Sequence, residues 1–284
     1  MSAMGPLWLV VNSASGSNTP AAIDALEDCC NDHGLTLARR IDFPDDPLPN
    51  ATTLDEAGVE TLAVYAGDGT INAAVTALYG WGGTILVLPG GTMNLLAQRL
   101  HGDADAQDIL SRFGSGAARR VRPEVIRTAH GDALAGLLAG PGTSWYAVRE
   151  AMREADIAAM ADSAGEAFAE TTNGAMLRCR DPQIGRSEGY PLIELTPGPW
   201  GMQIDAYYAE NAGEFLQQGW ALLRRQFRDG PHDRLGLLDR IAVANSAGEP
   251  VGLLIDGEPA QGRAQEEFVM AACEVDLLAT GHGG

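Results

Sequence analysis

Short apolar runs alternate with helix-like segments through the first part of the chain, and three of the runs are followed by loops rich in glycine and small polar residues. Four runs have the length of buried strands: LWLVVN, LTLARRID, VETLAVYA and TILVLPG. The segments between them place apolar residues at helical spacing, and the helix NLLAQRLHG is expected to be capped by Thr92. Strands that alternate with helices form a mostly parallel sheet, so residues 1–121 are predicted to be a Rossmann-like α/β domain.

The pattern changes after residue 121. The apolar segments become shorter and are separated by turn residues, which predicts an antiparallel, sandwich-like β-rich domain over residues 122–266. Two longer stretches, Val148 to Glu170 and Glu214 to Phe227, are expected to be packing helices. The last strand, FVMAACEVDLLAT within residues 267–284, is expected to close either domain. Alternation gives it one apolar face made of Val269, Ala271, Cys273, Val275 and Leu277.

Arginine supplies every basic side chain, because the 284-residue sequence contains no lysine. This excludes a P-loop lysine and any Schiff-base mechanism. The 19 basic and 38 acidic residues give a net charge of −19, which repels nucleic acid and anionic lipid at long range. No nucleic-acid partner is therefore expected. The four cysteines and five histidines have no metal-site spacing.

The apolar runs are too short to cross a membrane, which takes about 18 to 20 residues. The first residues, MSAMGPLWLVV, lack the basic region of a secretory signal. The chain is therefore expected to be cytoplasmic.

The stretch YAGDGTIN places an aspartate between two glycines at a junction between a strand and a helix. Glycine permits a tight turn and lets a ligand approach the backbone, and the N–H groups that begin a helix bind phosphate. Asp68 is then placed to orient a hydroxyl, a water or a Mg²⁺ ion. Read alone, the motif is also typical of an ordinary turn and helix cap.

Two further loops repeat this layout. TILVLPGGTMN follows another strand, and VVNSASGS follows the first one. Because the carboxyl ends of parallel strands lie at one edge of a sheet, we expect the three loops to lie close together. Together they predict a polyphosphate site.

The order of these motifs resembles the diacylglycerol kinase catalytic family, which includes bacterial lipid kinases and the sphingosine and ceramide kinases. The motifs are N-x-x-S-G (Asn12 to Gly16), G-D-G-T-x-N (Gly67 to Asn72), P-x-G-T-x-N (Pro89 to Asn94) and D-G-E (Asp256 to Glu258). They extend over nearly the whole chain. The resemblance implies an ATP-binding α/β domain, a β-rich lipid-binding domain and Mg²⁺-dependent phosphoryl transfer in the cleft between them.

The resemblance also implies residue roles. Glu258 matches the position that accepts the proton of the lipid hydroxyl, with Asp256 as its catalytic neighbour, and Mg²⁺ is expected on Asp68 or Asp256. If Asp256 and Glu258 are extended, their side chains share a face. Read alone, IDGEP is typical of a hairpin turn. Nucleotide contacts are implied for Asn12, Ser15, Gly16, Gly67, Asp68, Gly69, Thr70, Asn72, Gly91, Thr92 and Asn94.

The sequence departs from the family pattern at four positions, which are Ala66, Ala73, Leu95 and Trp200. Bacterial members of that family hold a second, structural Mg²⁺ near an Asp-Gly of the β-rich domain. Here Trp200 precedes Gly201, so the sequence leaves the presence of that ion open. Two alternatives to a lipid kinase therefore stay open: an NAD kinase-like enzyme that acts on a soluble dinucleotide, and a catalytically weak nucleotide-binding regulator.

The implied partner is a lipid with a free hydroxyl, which requires transient contact with a membrane surface. Because the net charge opposes docking on anionic lipid, exposed apolar residues are the expected means of contact. Trp145, Tyr146 and Trp200 are the candidates, with core packing as the other interpretation. A homodimer is compatible with the sequence.

Overall fold

The computed structural model describes residues 5–13, 18–141, 175–207 and 232–281. The chain forms two compact units. The first contains residues up to Pro123 and those from Cys273 onward, and the second contains Glu124–Ala272. The sequence predicted the boundaries between these units after residues 121 and 266.

A six-stranded sheet organises the first unit. Its strands are β1 (Leu7–Asn12), β2 (Leu37–Phe43), β3 (Thr61–Ala66), β4 (Thr84–Pro89), β5 (Arg119–Val121) and β17 (Asp276–Ala279). Their order is β2-β1-β3-β4-β17-β5. Pairing is parallel from β2 to β17, and β5 is antiparallel to β17. The predicted α/β architecture of this part is confirmed.

Five helices of the described residues accompany this sheet: α1 (Pro20–Asp32), α2 (Ala51–Glu56), α3 (Asp68–Ala77), α4 (Leu95–His101) and α5 (Ala106–Gly114). Side chains of Thr19, Asn50 and Asp105 cap α1, α2 and α5 by accepting a hydrogen bond from a first-turn N–H. The prediction that Thr92 caps α4 is wrong. That helix begins after Asn94, whose φ of 53° is left-handed.

The central strands of this sheet are covered on both faces. Val10, Val11, Ala63 and Val64 are completely buried, although neighbouring side chains along a strand point to opposite faces. Helices α1 and α5 pack against one face through a cluster that includes Leu26. Burial on both faces explains why the sequence has continuous apolar runs here rather than alternating ones.

A buried histidine makes the first unit sensitive to acid. His101 is 3% exposed, and its Nδ1 accepts a hydrogen bond from the Thr280 N–H at 3.2 Å, which requires a neutral ring. Burial lowers the pKa of His101 to about 4 from an ordinary 6.5. Between pH 4 and pH 6.5, the folded state thus binds fewer protons at His101 than the unfolded state. The contribution of neutral His101 to the stability of the folded state is present above pH 6.5 and is lost as the pH falls toward 4.

We expect acidification from pH 7.5 to 4 to cost the wild type about 3 kcal/mol of unfolding free energy through His101. His101→Asn keeps an acceptor for Thr280 but has no ionisable group, so it lacks this contribution. Urea unfolding of both proteins at both pH values measures it. Because carboxylates titrate alike in the two proteins, equal losses on acidification would contradict the assignment.

The second unit is built from antiparallel strands. They are β6 (Glu124–Thr128), β7 (Gly131–Ala133), β8 (Leu137–Pro141), β9 (Leu177–Asp181), β10 (Leu192–Gly198), β11 (Gly201–Tyr207), β12 (His232–Leu238), β13 (Arg240–Asn245), β14 (Val251–Ile255), β15 (Glu258–Gln261) and β16 (Gln265–Ala272). One sheet has the order β12-β11-β10-β8-β14-β15 and the other β7-β6-β16-β13-β9.

One hydrophobic core joins these two sheets. It contains Ile193, Ile204 and Leu253 from the first sheet and Val243 and Phe268 from the second, all fully buried. Two sheets that bury their inner faces against each other form a sandwich. The predicted sandwich-like β-rich domain is confirmed.

The last predicted strand is in fact two strands in different units. β16 pairs with β13 and β6 in the second unit, whereas β17 pairs with β4 and β5 in the first. Along β16, Glu266 and Phe268 are buried, while Val269 and Ala271 are only partly buried. The predicted single face is therefore wrong. The alternation of apolar residues in the sequence continues through the break between β16 and β17, because Cys273 and Val275 in that break are also buried. Nothing in the sequence therefore indicated the break.

The two predicted packing helices, Val148 to Glu170 and Glu214 to Phe227, lie outside the described residues, as do Trp145 and Tyr146. Within the described ranges, no helix combines the length and the apolar character that a membrane span needs.

Candidate functional site

Three loops lie at the carboxyl edge of the parallel sheet, after β1, β3 and β4. The chain passes from β1 to β2 on one side, and β3 lies on the other side of β1. In open α/β sheets, ligands bind at such a point, where the strand order reverses. The carboxyl ends of β1 and β3 therefore flank the expected position of a ligand.

A side-chain hydrogen bond joins the end of β1 to the start of α3. Asn12, at the end of β1, donates from Nδ2 to Oγ1 of Thr70 at 2.9 Å. Thr70 lies in the first turn of α3. Two residues that the sequence assigned to one site are thus in direct contact. Ser15 and Gly16 of the first loop lie outside the described residues.

Asn18 connects the ends of β1 and β3. It was not identified as a site residue from the sequence. Its Nδ2 donates to the backbone carbonyls of Asn12 and Tyr65, both at 2.9 Å. The residue is 4% exposed, and its Oδ1 has no hydrogen-bond partner among the described residues. A buried amide that bridges two strands fixes their separation. The signal in the sequence was weak, because an asparagine before a helix is an ordinary capping residue.

The second and third loops pack backbone against backbone. A Cβ atom on Gly91 would lie 2.6 Å from Cα of Gly67, and one on Gly90 would lie 2.7 Å from the backbone N of Ala66. The Gly90 N–H also donates to the Ala66 carbonyl at 3.2 Å. Glycine is therefore needed at these positions so that the two loops can approach each other. This requirement is separate from the approach of a ligand to the backbone.

Helix α3 begins directly at the glycine-flanked aspartate. Its N-cap, Gly67, provides no side-chain cap, in contrast to the caps of α1, α2 and α5. Asp68 accepts a hydrogen bond at Oδ1 from the Leu96 N–H at 3.4 Å, which ties α3 to the start of α4. The N–H groups in the first turn of a helix, at a ligand-binding edge, suit a phosphate group. Gly69 lies in this first turn.

Asn94 shapes the third loop. Its Oδ1 accepts from the Gly91 N–H at 2.7 Å, and its Nδ2 donates to the Gly91 carbonyl at 2.9 Å. Asparagine tolerates the left-handed conformation better than most residues. Thr92 is exposed within the loop that Asn94 closes. In α3, the backbone carbonyl of Asn72 accepts a hydrogen bond from Oγ1 of Thr76 at 2.8 Å.

A cavity of about 520 Å³ adjoins the third loop. It is lined by Tyr65, Pro89 and Asn94 beside the loop, and by Asp103 and Asp105 farther away. The described lining contains two carboxylates and no arginine, so the cavity suits a neutral or cationic group better than a phosphate.

The D-G-E motif forms a hairpin turn in the second unit. Ile255 pairs with Glu258, and Asp256 and Gly257 between them have φ values of 47° and 86°. This is the pattern of a two-residue turn of the primed type. Asp256 is therefore not extended, so the condition under which the two carboxylates would share a face is not met. The hairpin interpretation of IDGEP is correct. Glu258 is exposed at the start of β15.

Asp256 anchors this turn to the loop before β8. Its Oδ2 accepts from the Leu134 N–H at 2.7 Å, and its Oδ1 accepts from the N–H groups of Ala135 and Gly136 at 2.8 and 3.0 Å. The residue is 4% exposed. Three backbone donors hold the carboxylate, so its first task is to fix the turn that carries Glu258.

The two predicted magnesium ligands differ in their fit. Mg²⁺ retains several waters and is usually held by one or two carboxylates together with substrate phosphates. Asp68 is partly exposed beside the helix start and fits that role. Asp256 is buried and already holds three N–H groups, so it fits poorly. Among the described residues, no group of three or more metal-binding side chains occurs.

Comparison with known proteins supports the family resemblance and the fold. Residues 6–124 match the family model described as the diacylglycerol kinase catalytic domain. No curated protein matches the sequence. Two solved structures from Bacillus anthracis str. Sterne are similar. One, described as a diacylglycerol kinase, is 13% identical over 96% of each chain with a TM-score of 0.63. The other, described as a "putative diacylglycerol kinase", is 12% identical over 98% of this chain and 96% of that one, with a TM-score of 0.66. The predicted two-domain fold class is thus confirmed.

Proposed function

Because residues 6–124 match the catalytic domain of diacylglycerol kinases, we propose that this chain is an ATP-dependent kinase of a lipid hydroxyl. The observation that carries the proposal is that the end of β1, the start of α3 and the Gly90–Thr92 loop meet at one edge of the sheet. Asn12 contacts Thr70, Gly91 packs on Gly67, and Asp68 holds the start of α4. Such a group of backbone donors and small side chains suits a triphosphate.

In this proposal, the first turn of α3 and the Gly90–Thr92 loop bind the phosphates of ATP. Thr70 and Thr92 add hydroxyl groups, while Asn12 and Asn94 hold the loops in position. When bound, Mg²⁺ would be held by Asp68 and would neutralise charge on the β- and γ-phosphates. The absence of lysine leaves the remaining charge to backbone N–H groups and arginine.

Glu258 is proposed as the general base. An alcohol is a weak nucleophile at neutral pH, and a nearby carboxylate accepts its proton as the phosphoryl group arrives. A bond forms between the lipid oxygen and the γ-phosphorus, the bond from that phosphorus to ADP breaks, and the proton moves to Glu258. The exposed position of Glu258, on a turn anchored by Asp256, supports this role.

Incubation with radiolabelled ATP tests the proposal. We expect label to transfer from the γ-position to a diacylglycerol-like or sphingoid lipid in mixed vesicles containing Mg²⁺. Label on NAD instead would identify a dinucleotide kinase, and ATP binding without transfer would identify a regulatory nucleotide-binding protein. Either result would contradict the proposed function. Omission of Mg²⁺ is expected to abolish transfer.

A further inference from the structure

Two large hydrophobic side chains are exposed in the described part of the chain. Trp200 is 84% exposed and Leu237 is 54% exposed. Both belong to the second unit, and both lie at the same end of its six-stranded sheet. A tryptophan exposed to this degree is unusual, because its large apolar surface normally finds a partner.

Trp200 occupies the tip of a tight hairpin. Gly198 of β10 pairs with Gly201 of β11, so only Pro199 and Trp200 form the turn. Gly201 has a φ of 122°, a conformation that favours glycine. A Cβ atom on Gly201 would lie 3.5 Å from Cβ of Leu237 on the neighbouring strand β12. The tip therefore carries Trp200 on a protruding turn, with Leu237 beside its base.

We propose that this tip, Trp200 with Leu237, docks the protein on the interface of an electrically neutral lipid bilayer. The proposal rests on the proposed function, because a lipid kinase must reach its substrate in a membrane. Tryptophan suits this interface, since its ring is largely apolar while its N–H favours contact with polar headgroups. A protruding turn can enter the headgroup layer without any groove in the partner.

The size of the surface argues against a protein partner. One tryptophan and one leucine together offer on the order of 300 Å², whereas a standard protein interface buries about 800 Å² on each side. So small an apolar contact gives weak and reversible binding, as an enzyme that moves between lipid molecules requires.

Among the described residues near the tip, the charges do not favour anionic lipid. Arg234 on β12 contacts Asp205, and Arg240 on β13 contacts Glu267, so both guanidinium groups are paired with carboxylates. The net charge of the chain is −19. Docking through Trp200 is therefore expected to be strongest on neutral phosphatidylcholine and to weaken when anionic lipid is added at low salt.

Vesicle flotation tests this surface. With phosphatidylcholine vesicles, we expect Trp200→Ser to reduce the bound fraction about tenfold and Leu237→Ser to reduce it less, since Leu237 offers less area. The control adds Ala247→Trp to Trp200→Ser, which places a tryptophan at an exposed turn elsewhere in the second unit. This double variant is expected to remain unbound. Binding by the double variant, or wild-type binding by Trp200→Ser, would overturn the proposal.

Two further measurements separate this proposal from its alternatives. If Trp200→Ser dissociates a dimer in light scattering while flotation is unchanged, the tip binds a second copy and the lipid proposal is wrong. Kinase activity on a water-soluble short-chain lipid is expected to be unchanged in Trp200→Ser, while activity on vesicles falls. If the wild type has no kinase activity but flotation still depends on Trp200, docking stands and the proposed function fails.

Discussion

Replacement of Glu258 by glutamine is expected to lower turnover about a thousandfold while the affinity for ATP stays the same. General-base catalysis contributes roughly 10²- to 10⁴-fold to the rate of such reactions. Glutamine keeps the size and hydrogen-bonding shape of the side chain but cannot accept the proton. Because Glu258 is exposed and follows the hairpin turn, the substitution leaves the packing of β15 intact.

Single-turnover phosphoryl transfer and fluorescent-nucleotide binding measure these two quantities separately. Glu249→Gln is the matched control, since Glu249 is an exposed glutamate on another loop of the second unit. It should behave like the wild type. If Glu258→Gln keeps more than about half of the wild-type turnover, Glu258 is not the base and the role implied by the family resemblance is wrong.

Replacement of Gly91 by alanine is expected to weaken ATP binding at least tenfold and to lower turnover by about a hundredfold. The added methyl group would lie 2.6 Å from Cα of Gly67, so the two loops must separate. Backbone cannot rotate away as a long side chain can. Displacement of a binding group by about 1 Å is enough to cost roughly a hundredfold in rate.

Gly82→Ala is the matched control for this substitution. Gly82 precedes β4, and a Cβ atom there would meet nothing within 4 Å. Circular dichroism and thermal unfolding establish that both variants are folded at the assay temperature, because overpacking at Gly91 is also expected to cost about 1–3 kcal/mol of stability. Unchanged nucleotide affinity in a folded Gly91→Ala protein would mean that the contact between the loops does not form the binding site.

The features that follow from local chemistry could be predicted from the sequence. Strand-length apolar runs that end in glycine and small polar residues identified the α/β unit and its three loops. The hairpin at Asp256 and Gly257 could also be predicted from the sequence, since Asp-Gly is strongly preferred in such turns. The extended alternative was wrong because it considered only the spacing of the two carboxylates and not the conformation that Asp-Gly favours.

The features that depend on tertiary contacts could not be predicted. Asn18 acts through bonds to the Asn12 and Tyr65 carbonyls, and the latter lies on a strand far away in sequence. Nothing in the residues around Asn18 encodes that bridge. The three N–H groups that hold Asp256 likewise come from the distant Leu134–Gly136 segment. In both cases the partner is the backbone, which has the same donors and acceptors at almost every position.

The place of β17 in the sheet affects how the protein is made on the ribosome. β17 separates β4 from β5, yet it is translated after the whole second unit. Until it emerges, the described part of the chain has an open edge at β4 and no partner strand in that sheet for β5. At ordinary elongation rates this interval lasts on the order of 10 s, during which an open strand edge invites aggregation. Chaperone capture of the nascent chain should therefore persist at least until β17 leaves the exit tunnel.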